Sequence, residues 1–127
     1  MTPSPNDRAT LGRRQRILKS ADFRSVYAAR ARVGDGRIVA YAKANGLAVT
    51  RLGVSVGKRC GGSVQRNRIK RLLREVFRQA RATLPAGYDV VLVPLVTDYT
   101  FRDVDAAVRA LVPEAIRRAR AKAEARP

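Results

Sequence analysis

Residues 51–96, RLGVSVGKRCGGSVQRNRIKRLLREVFRQARATLPAGYDVVLVPLV, decide the architecture, because three periodicities follow one another in them. In 51–58, Leu52, Val54 and Val56 alternate with Gly53, Ser55 and Gly57, the period of two of a strand. The small-residue row would let another group approach the strand closely. Gly61-Gly62 interrupts the pattern, and Ser63 is a suitable N-cap. From there Ile69, Leu72, Leu73, Val76, Phe77, Ala80 and Leu84 recur at the spacing of one helix face. Pro85 and Gly87 end that helix. The run YDVVLVPLV (88–96) is almost continuously apolar, as in a strand covered on both sides, with Pro94 near its end. A strand–helix–strand order favours parallel pairing of its two strands, since the helix carries the chain back to the starting edge.

The flanking segments extend the pattern. Residues 20–31, SADFRSVYAARA, predict a helix capped by Ser20, with Phe23, Val26, Tyr27 and Arg30 at helical spacing, broken by Gly34 and Gly36. RIVAYAK (37–43) reads as a strand and Asn45-Gly46 as a turn. Thr100 with Asp103 forms a weak capping box for a last helix whose stripe is Val104, Val108, Leu111, Val112, Ala115, Ile116 and Ala119. Pro113 lies in that stripe and should kink it by removing the bond to the Arg109 carbonyl. RRARAKAEARP (117–127) should fray. The expected fold is α+β: a two-layer sandwich with helices packed on a small mixed sheet, in the order α-β-β-α-β-α. Its expected divisions are a flexible segment 1–10, one domain over 11–123 and a frayed tail 124–127.

The 127 residues suit one domain with a modest core. Against 10 acids stand 27 Lys and Arg, a formal charge of +17. Self-repulsion of that size works against a compact monomer, so a polyanionic partner is expected. No apolar run approaches the roughly 18 residues a membrane helix needs, so no membrane partner is expected. The first twenty residues have no apolar core of a secretory leader. Cys60 is the single cysteine and cannot form an intramolecular disulfide, which agrees with a reducing cytoplasm.

The charge concentrates on the central helix. At 100° per residue, Asn67, Lys70, Arg71, Arg74, Arg78 and Arg81 fall opposite the apolar stripe, and Arg66 and Arg68 flank it. Residues 63–81 hold seven cations and one acid, Glu75. A surface helix normally mixes signs to gain i,i+4 pairs. The helix N-terminus also carries partial positive charge and prefers acids, yet Lys58 and Arg59 lead in and Arg66, Arg68 and Lys70 follow. A phosphate there would be held by free N–H groups and arginine forks together. A solvated charged face is the plainer reading of most charge runs, but this imbalance favours nucleic acid. A helix-turn-helix would need a second short helix, and this helix is flanked by strands, so RNA is expected and DNA is not. Tyr27, Tyr41 and Phe23 could stack on unpaired bases if they face outward, with core packing the alternative, strongest for Phe23.

Residues for catalysis by the chain itself are scarce. There is no His, so the commonest acid–base group and metal ligand are missing. Cys60 has no His to activate it and reads as a small packed thiol. Asp98, Asp103 and Asp105 are loosely spaced and suit a helix start better than a two-metal centre.

GKRCGGSVQRNRIKRLLREVF (57–77) resembles the signature of the bacterial ribonuclease P protein component. That signature is Gly/Ala-Val-x-Arg-Asn-Arg-x-Lys-Arg followed by Leu/Ile and Arg, matched by Val64, Arg66, Asn67, Arg68, Lys70, Arg71 and Arg74. RILKSADFRSVY (16–27), RLGVSVGKR (51–59), GYDVVLV (87–93) and TFRDV (100–104) resemble other segments of the family, so the likeness spans about residues 11–112. The resemblance implies a ribonucleoprotein that removes the 5′ leader of precursor tRNA by hydrolysis. Its RNA subunit would hold Mg²⁺ and perform the chemistry, so no catalytic residue lies on the chain. Lys58, Arg59, Arg66, Asn67, Arg68, Lys70, Arg71 and Arg74 would bind the ribonuclease P RNA. Phe23, Tyr27, Tyr41 and Ser55 would line a cleft for the leader of the precursor tRNA. The family's ribosomal-protein-like fold implies a left-handed strand–helix–strand crossover, where the general rule predicts a right-handed one. The alternatives are a structural RNA-binding protein or RNA chaperone without an enzymatic role, and a DNA-binding regulator.

Overall fold

The computed structural model describes residues 15–124. In chain order the elements are α1 (Ser20–Ala28), β1 (Arg32–Gly34), β2 (Ile38–Ala44), β3 (Arg51–Val54), α2 (Ser63–Ala80), β4 (Tyr88–Pro94) and α3 (Phe101–Glu124). The strands form one mixed sheet in the order β1-β2-β4-β3. β2 pairs antiparallel with both β1 and β4, and β3 pairs parallel with β4. The parallel pair is the one expected from residues 51–96, with α2 as its crossover.

Alternation sorts the sheet residues between two faces. Ile38, Ala40, Ala42, Leu52, Val90 and Leu92 point to one face and are buried under α2 and α3. α2 contributes Ile69, Leu73, Val76, Phe77 and Ala80 to that core, and α3 contributes the seven residues of its expected stripe. This is the expected two-layer sandwich. To it the structure adds α1 on the opposite face, where Val26 packs with Ile17 and Val91. Buried Val91 between two covered faces explains the near-continuous apolar run of β4.

Several local expectations are corrected. There are four strands, because β1 follows α1 directly. α1 stops at Ala28, and Arg30 takes a left-handed φ of 59°, turning the chain so that Arg32–Gly34 pairs with β2. Lys19 occupies the N-cap of α1 and Gly62 that of α2, so Ser20 and Ser63 are the first helical residues. The Gly62 N–H donates instead to Gln65 Oε1 at 2.8 Å. β3 ends at Val54, and a 3-10 turn over Lys58–Cys60 follows.

The Thr100–Asp103 box forms as expected: the Thr100 N–H donates to Asp103 Oδ2 and the Asp103 N–H to Thr100 Oγ1. α3 continues through Pro113, whose missing hydrogen bond is outweighed by Leu111, Val112, Ala115 and Ile116 buried on both sides of it. Residues 117–124 do not fray. Arg118 donates to the Arg32 carbonyl at 2.9 Å, Lys122 to the Arg30 carbonyl at 2.8 Å, and Arg120 to the Tyr88 hydroxyl at 3.2 Å. These bonds tie the last turns to the start of the sheet. The expected flexible segment 1–10 and residues 125–127 of the tail lie outside the described residues.

Candidate RNA interface

α2 presents its cations in two rows rather than on one face. Arg66, Lys70 and Arg74 are spaced i, i+4, i+8 and are half-buried along one flank. The Arg74 guanidinium is held below its usual pKa range, first by burial and then by the charge of Arg16. Arg16 bridges to Leu52 at the free edge of β3, so this row runs along the outer edge of the sheet. Arg68 and Arg71 lie on the other flank, with Val64 and Leu72, and face Tyr99, Thr100 and Phe101 at the start of α3. Asn67, Lys58 and Arg59 are exposed around the helix start.

What unites both rows is a shortage of counter-charge. Among the described residues, no ion pair involves Lys58, Arg59, Arg66, Arg68, Lys70, Arg71 or Arg74. The pairs that exist join Arg37–Asp98, Arg51–Asp22, Arg51–Asp89, Arg78–Glu75, Arg109–Asp105, Arg117–Glu114 and Arg118–Glu114. Glu75, the sole acid of α2, accepts from Arg78 Nε at 3.0 Å and Nη2 at 2.6 Å, which holds its carboxyl below the usual range. It has nothing left for the preceding three turns. Arg16 and Arg66 each bury an Nε with no hydrogen-bond partner, a desolvation cost that an RNA phosphate could offset.

The opposite face of the sheet carries the aromatic residues. Phe23 and Tyr27 project from α1 over the β2–β4 surface, joining Tyr41, Val91 and Val93. Tyr27 meets Tyr41 edge-on, with ring centroids 4.9 Å apart at 79°. Arg32, opposite Tyr41 in the β1–β2 register, sets its guanidinium 5.6 Å from the Tyr41 centroid. Lys43 donates to Ser25 Oγ and links β2 to α1. Phe23, Tyr27 and Tyr41 are all half-buried, packed against Ile17, Val26 and Val91 with part of each ring left open. Ser55 continues the Gly53 row and holds it to β4 through a bond from its N–H to the Leu92 carbonyl at 3.0 Å.

Gly53 explains the small-residue row, because the close neighbour it admits is Phe23. A Cβ at position 53 would lie 2.7 Å from Phe23 Cε1 and 3.3 Å from Ile17 Cβ. Gly53→Ala should therefore push the Phe23 ring outward. Since the clash is with the far end of a partly exposed side chain, the expected stability loss is about 1–2 kcal/mol, read as a lower urea midpoint at unchanged slope. A midpoint equal to wild type would show that the ring does not rest on Gly53.

The other candidate groups have structural employment. Cys60 is buried and its thiol donates to the Pro94 carbonyl at 3.4 Å. Asp98 pairs with Arg37, Asp103 caps α3 and Asp105 accepts from Arg109 at 2.9 Å. These three carboxylates serve separate partners and do not converge. Arg16, Arg32 and Lys43 complete the two surfaces but are not legible in the sequence as site residues. Each is one cation among many in a basic sequence, and only its neighbours in space distinguish it. No helix among the described residues is long and apolar enough to cross a membrane.

Comparison with known proteins gives a consistent outcome. The family model described as "Ribonuclease P" matches residues 11–120. The chain is 47% identical over 78 residues to the ribonuclease P protein component of Caldanaerobacter subterraneus subsp. tengcongensis, covering 61% of this chain and 67% of that one. It is 35% identical over 95 residues to the component from Alkaliphilus oremlandii, covering 73% and 83%. The solved RNase P protein of Staphylococcus aureus superposes with a TM-score of 0.70 at 29% identity, over 77% of this chain and 92% of that one.

Proposed function

This chain belongs to the ribonuclease P protein family, and from that premise we propose how it serves a ribonucleoprotein that removes the 5′ leader of precursor tRNA. The α2 cations bind the RNA subunit and the α1–sheet cleft binds the leader. The observation that carries this reading is the missing counter-charge on the first three turns of α2, where five cations lack an acid partner among the described residues, while Arg78, Arg109, Arg117 and Arg118 on α2 and α3 are paired with acids. A folded RNA supplies phosphates at that density. The cleft lies across the sheet from α2, and the Arg16–Ile17 segment at the β3 edge touches both surfaces: Ile17 packs in the aromatic cluster and Arg16 lies beside Arg74. Leader and RNA subunit are thereby held on one rigid body, which orients the substrate without any reacting group on the protein.

Mg²⁺ would belong to the RNA subunit. Among the described residues no carboxylates form a set fit to hold it, because Asp98, Asp103 and Asp105 are divided among Arg37, Thr100 and Arg109. The protein's contribution is electrostatic: it reduces repulsion between two polyanions and so lowers the Mg²⁺ that cleavage requires. The test is reconstitution with ribonuclease P RNA and precursor tRNA at low Mg²⁺. Cleavage should rise steeply when the chain is added and should be absent with the chain alone. Unchanged cleavage would favour an RNA chaperone, and cleavage by the chain alone would overturn the division of labour.

Tyr41→Ala tests the cleft. Stacking on an aromatic side chain contributes about 1–3 kcal/mol per base. A base on Tyr41 must displace Arg32, an exposed cation–π interaction of about 0.5–1 kcal/mol. The net loss in precursor affinity should therefore be about 1 kcal/mol and at most about 2.5 kcal/mol, with RNA-subunit affinity unchanged. A loss confined to RNA-subunit binding would show Tyr41 to be on the wrong surface.

A further inference from the structure

Four large apolar side chains are exposed among the described residues: Leu18, Leu47, Val64 and Phe101. Two of them, Val64 at 79% exposure and Phe101 at 41%, line one groove between the starts of α2 and α3. Neither position is explained by folding. Val64 is the second residue of α2 and turns away from its core stripe, and Phe101 opens α3 immediately after Thr100 of the capping box. The groove is shallow and open to solvent, with about 750 Å³ of space, room for a flat organic group laid against its wall.

Its remaining lining narrows the occupant. Arg68 and Arg71 form one side and have no acidic partner among the described residues. Tyr99 forms the floor and is fixed there, since its hydroxyl donates to the Arg37 carbonyl and Arg37 sits 5.0 Å from its ring centroid. The acids nearest the rim in sequence are both engaged elsewhere, Asp98 with Arg37 and Asp103 with Thr100, so the arginine side is where an anion is favoured. A protein partner would have to bring an apolar side chain and two carboxylates to the same spot to match the groove. Phosphate alone would satisfy the arginines but leave the apolar pair in water. An unpaired nucleotide matches both, with a flat apolar base and flanking phosphates.

Resting on the RNA-binding reading above, we propose that this groove receives a single extruded nucleobase of the RNA subunit. The base lies against Phe101 and Val64, with its flanking phosphates on Arg68 and Arg71. The basic helix then does more than neutralise charge: the groove fixes the register of the protein on its RNA.

The chain contains no Trp, so Phe101→Trp installs a unique reporter. Titrating that variant with ribonuclease P RNA should quench the tryptophan emission as the complex forms, and emission should return when high salt dissociates it. Complex formation by gel shift with unaltered emission would overturn the inference while leaving RNA binding by α2 intact. Failure of the wild-type chain to bind the RNA would overturn both. Phe101→Ala should weaken RNA binding roughly 5- to 150-fold, the effect of losing one stacked base, with the salt dependence unchanged. Phe101→Leu keeps an apolar helix start and controls for folding. Full affinity in the leucine variant would show that no base stacks there.

Discussion

Replacing Arg68, Arg71 and Arg74 together by alanine is expected to flatten the salt dependence of RNA-subunit binding by about two to three units of log-log slope. Every phosphate that the protein no longer neutralises lowers the number of released counterions by slightly less than one. The loss of affinity should be greatest at low salt and shrink as salt rises. These residues cover both rows of α2, and none has an acid partner among the described residues. The fold should not suffer. Arg68 and Arg71 are exposed, and Arg74 is already disfavoured as a cation by burial and by Arg16. Stability should stay within about 0.5 kcal/mol of wild type or rise as self-repulsion falls. Binding and stability therefore separate, which a residue of purely structural importance would not allow. Arg117→Ala is the control, because Arg117 pairs with Glu114 and its removal should leave the slope unchanged. An unaltered slope in the triple variant would remove this helix face from the RNA-binding surface.

Phe77→Ala should produce the largest loss of stability. Phe77 is fully buried in the core that α2 and α3 share with the sheet. Truncation removes its transfer free energy and leaves a cavity that surrounding elements fill only in part, about 3–5 kcal/mol in all. Set against a typical total of about 5–15 kcal/mol, this leaves the free protein marginal. Binding supplies a second readout. RNA present at about one hundred times its dissociation constant should restore up to about 2.7 kcal/mol, the limit reached when it does not bind the unfolded chain. The variant should thus melt early alone and close to wild type with ribonuclease P RNA. Equal melting with and without RNA would mean that the RNA does not recognise the folded α2 surface.

The α2 segment is legible in the sequence because local rules agree there: apolar period, glycine joint and proline stop all fall within thirty residues. The basic row is legible for the same reason, as is the capping box of α3. The caps of α1 and α2 fall one residue before Ser20 and Ser63, since any small polar residue near a helix start satisfies the same pattern. The tail at 117–124 looks frayed in sequence because its cations look solvated there, while Arg118 and Lys122 donate to the carbonyls of Arg32 and Arg30, 86 and 92 residues away.

The residue pattern alone determined that a basic amphipathic helix crosses between two parallel strands, and that nothing in its first turns balances the charge. It also carried the family likeness through Arg66, Asn67 and Arg68. Which sheet face α1 covers, and so whether Phe23, Tyr27 and Tyr41 form a cleft or a core, was decided only by tertiary structure. The same is true of β1, of the Arg16–Arg74 neighbourhood and of the groove joining Val64 to Phe101. Periodicity reports the environment of one segment, whereas a site built from several segments depends on neighbours whose sequence separation leaves no local trace.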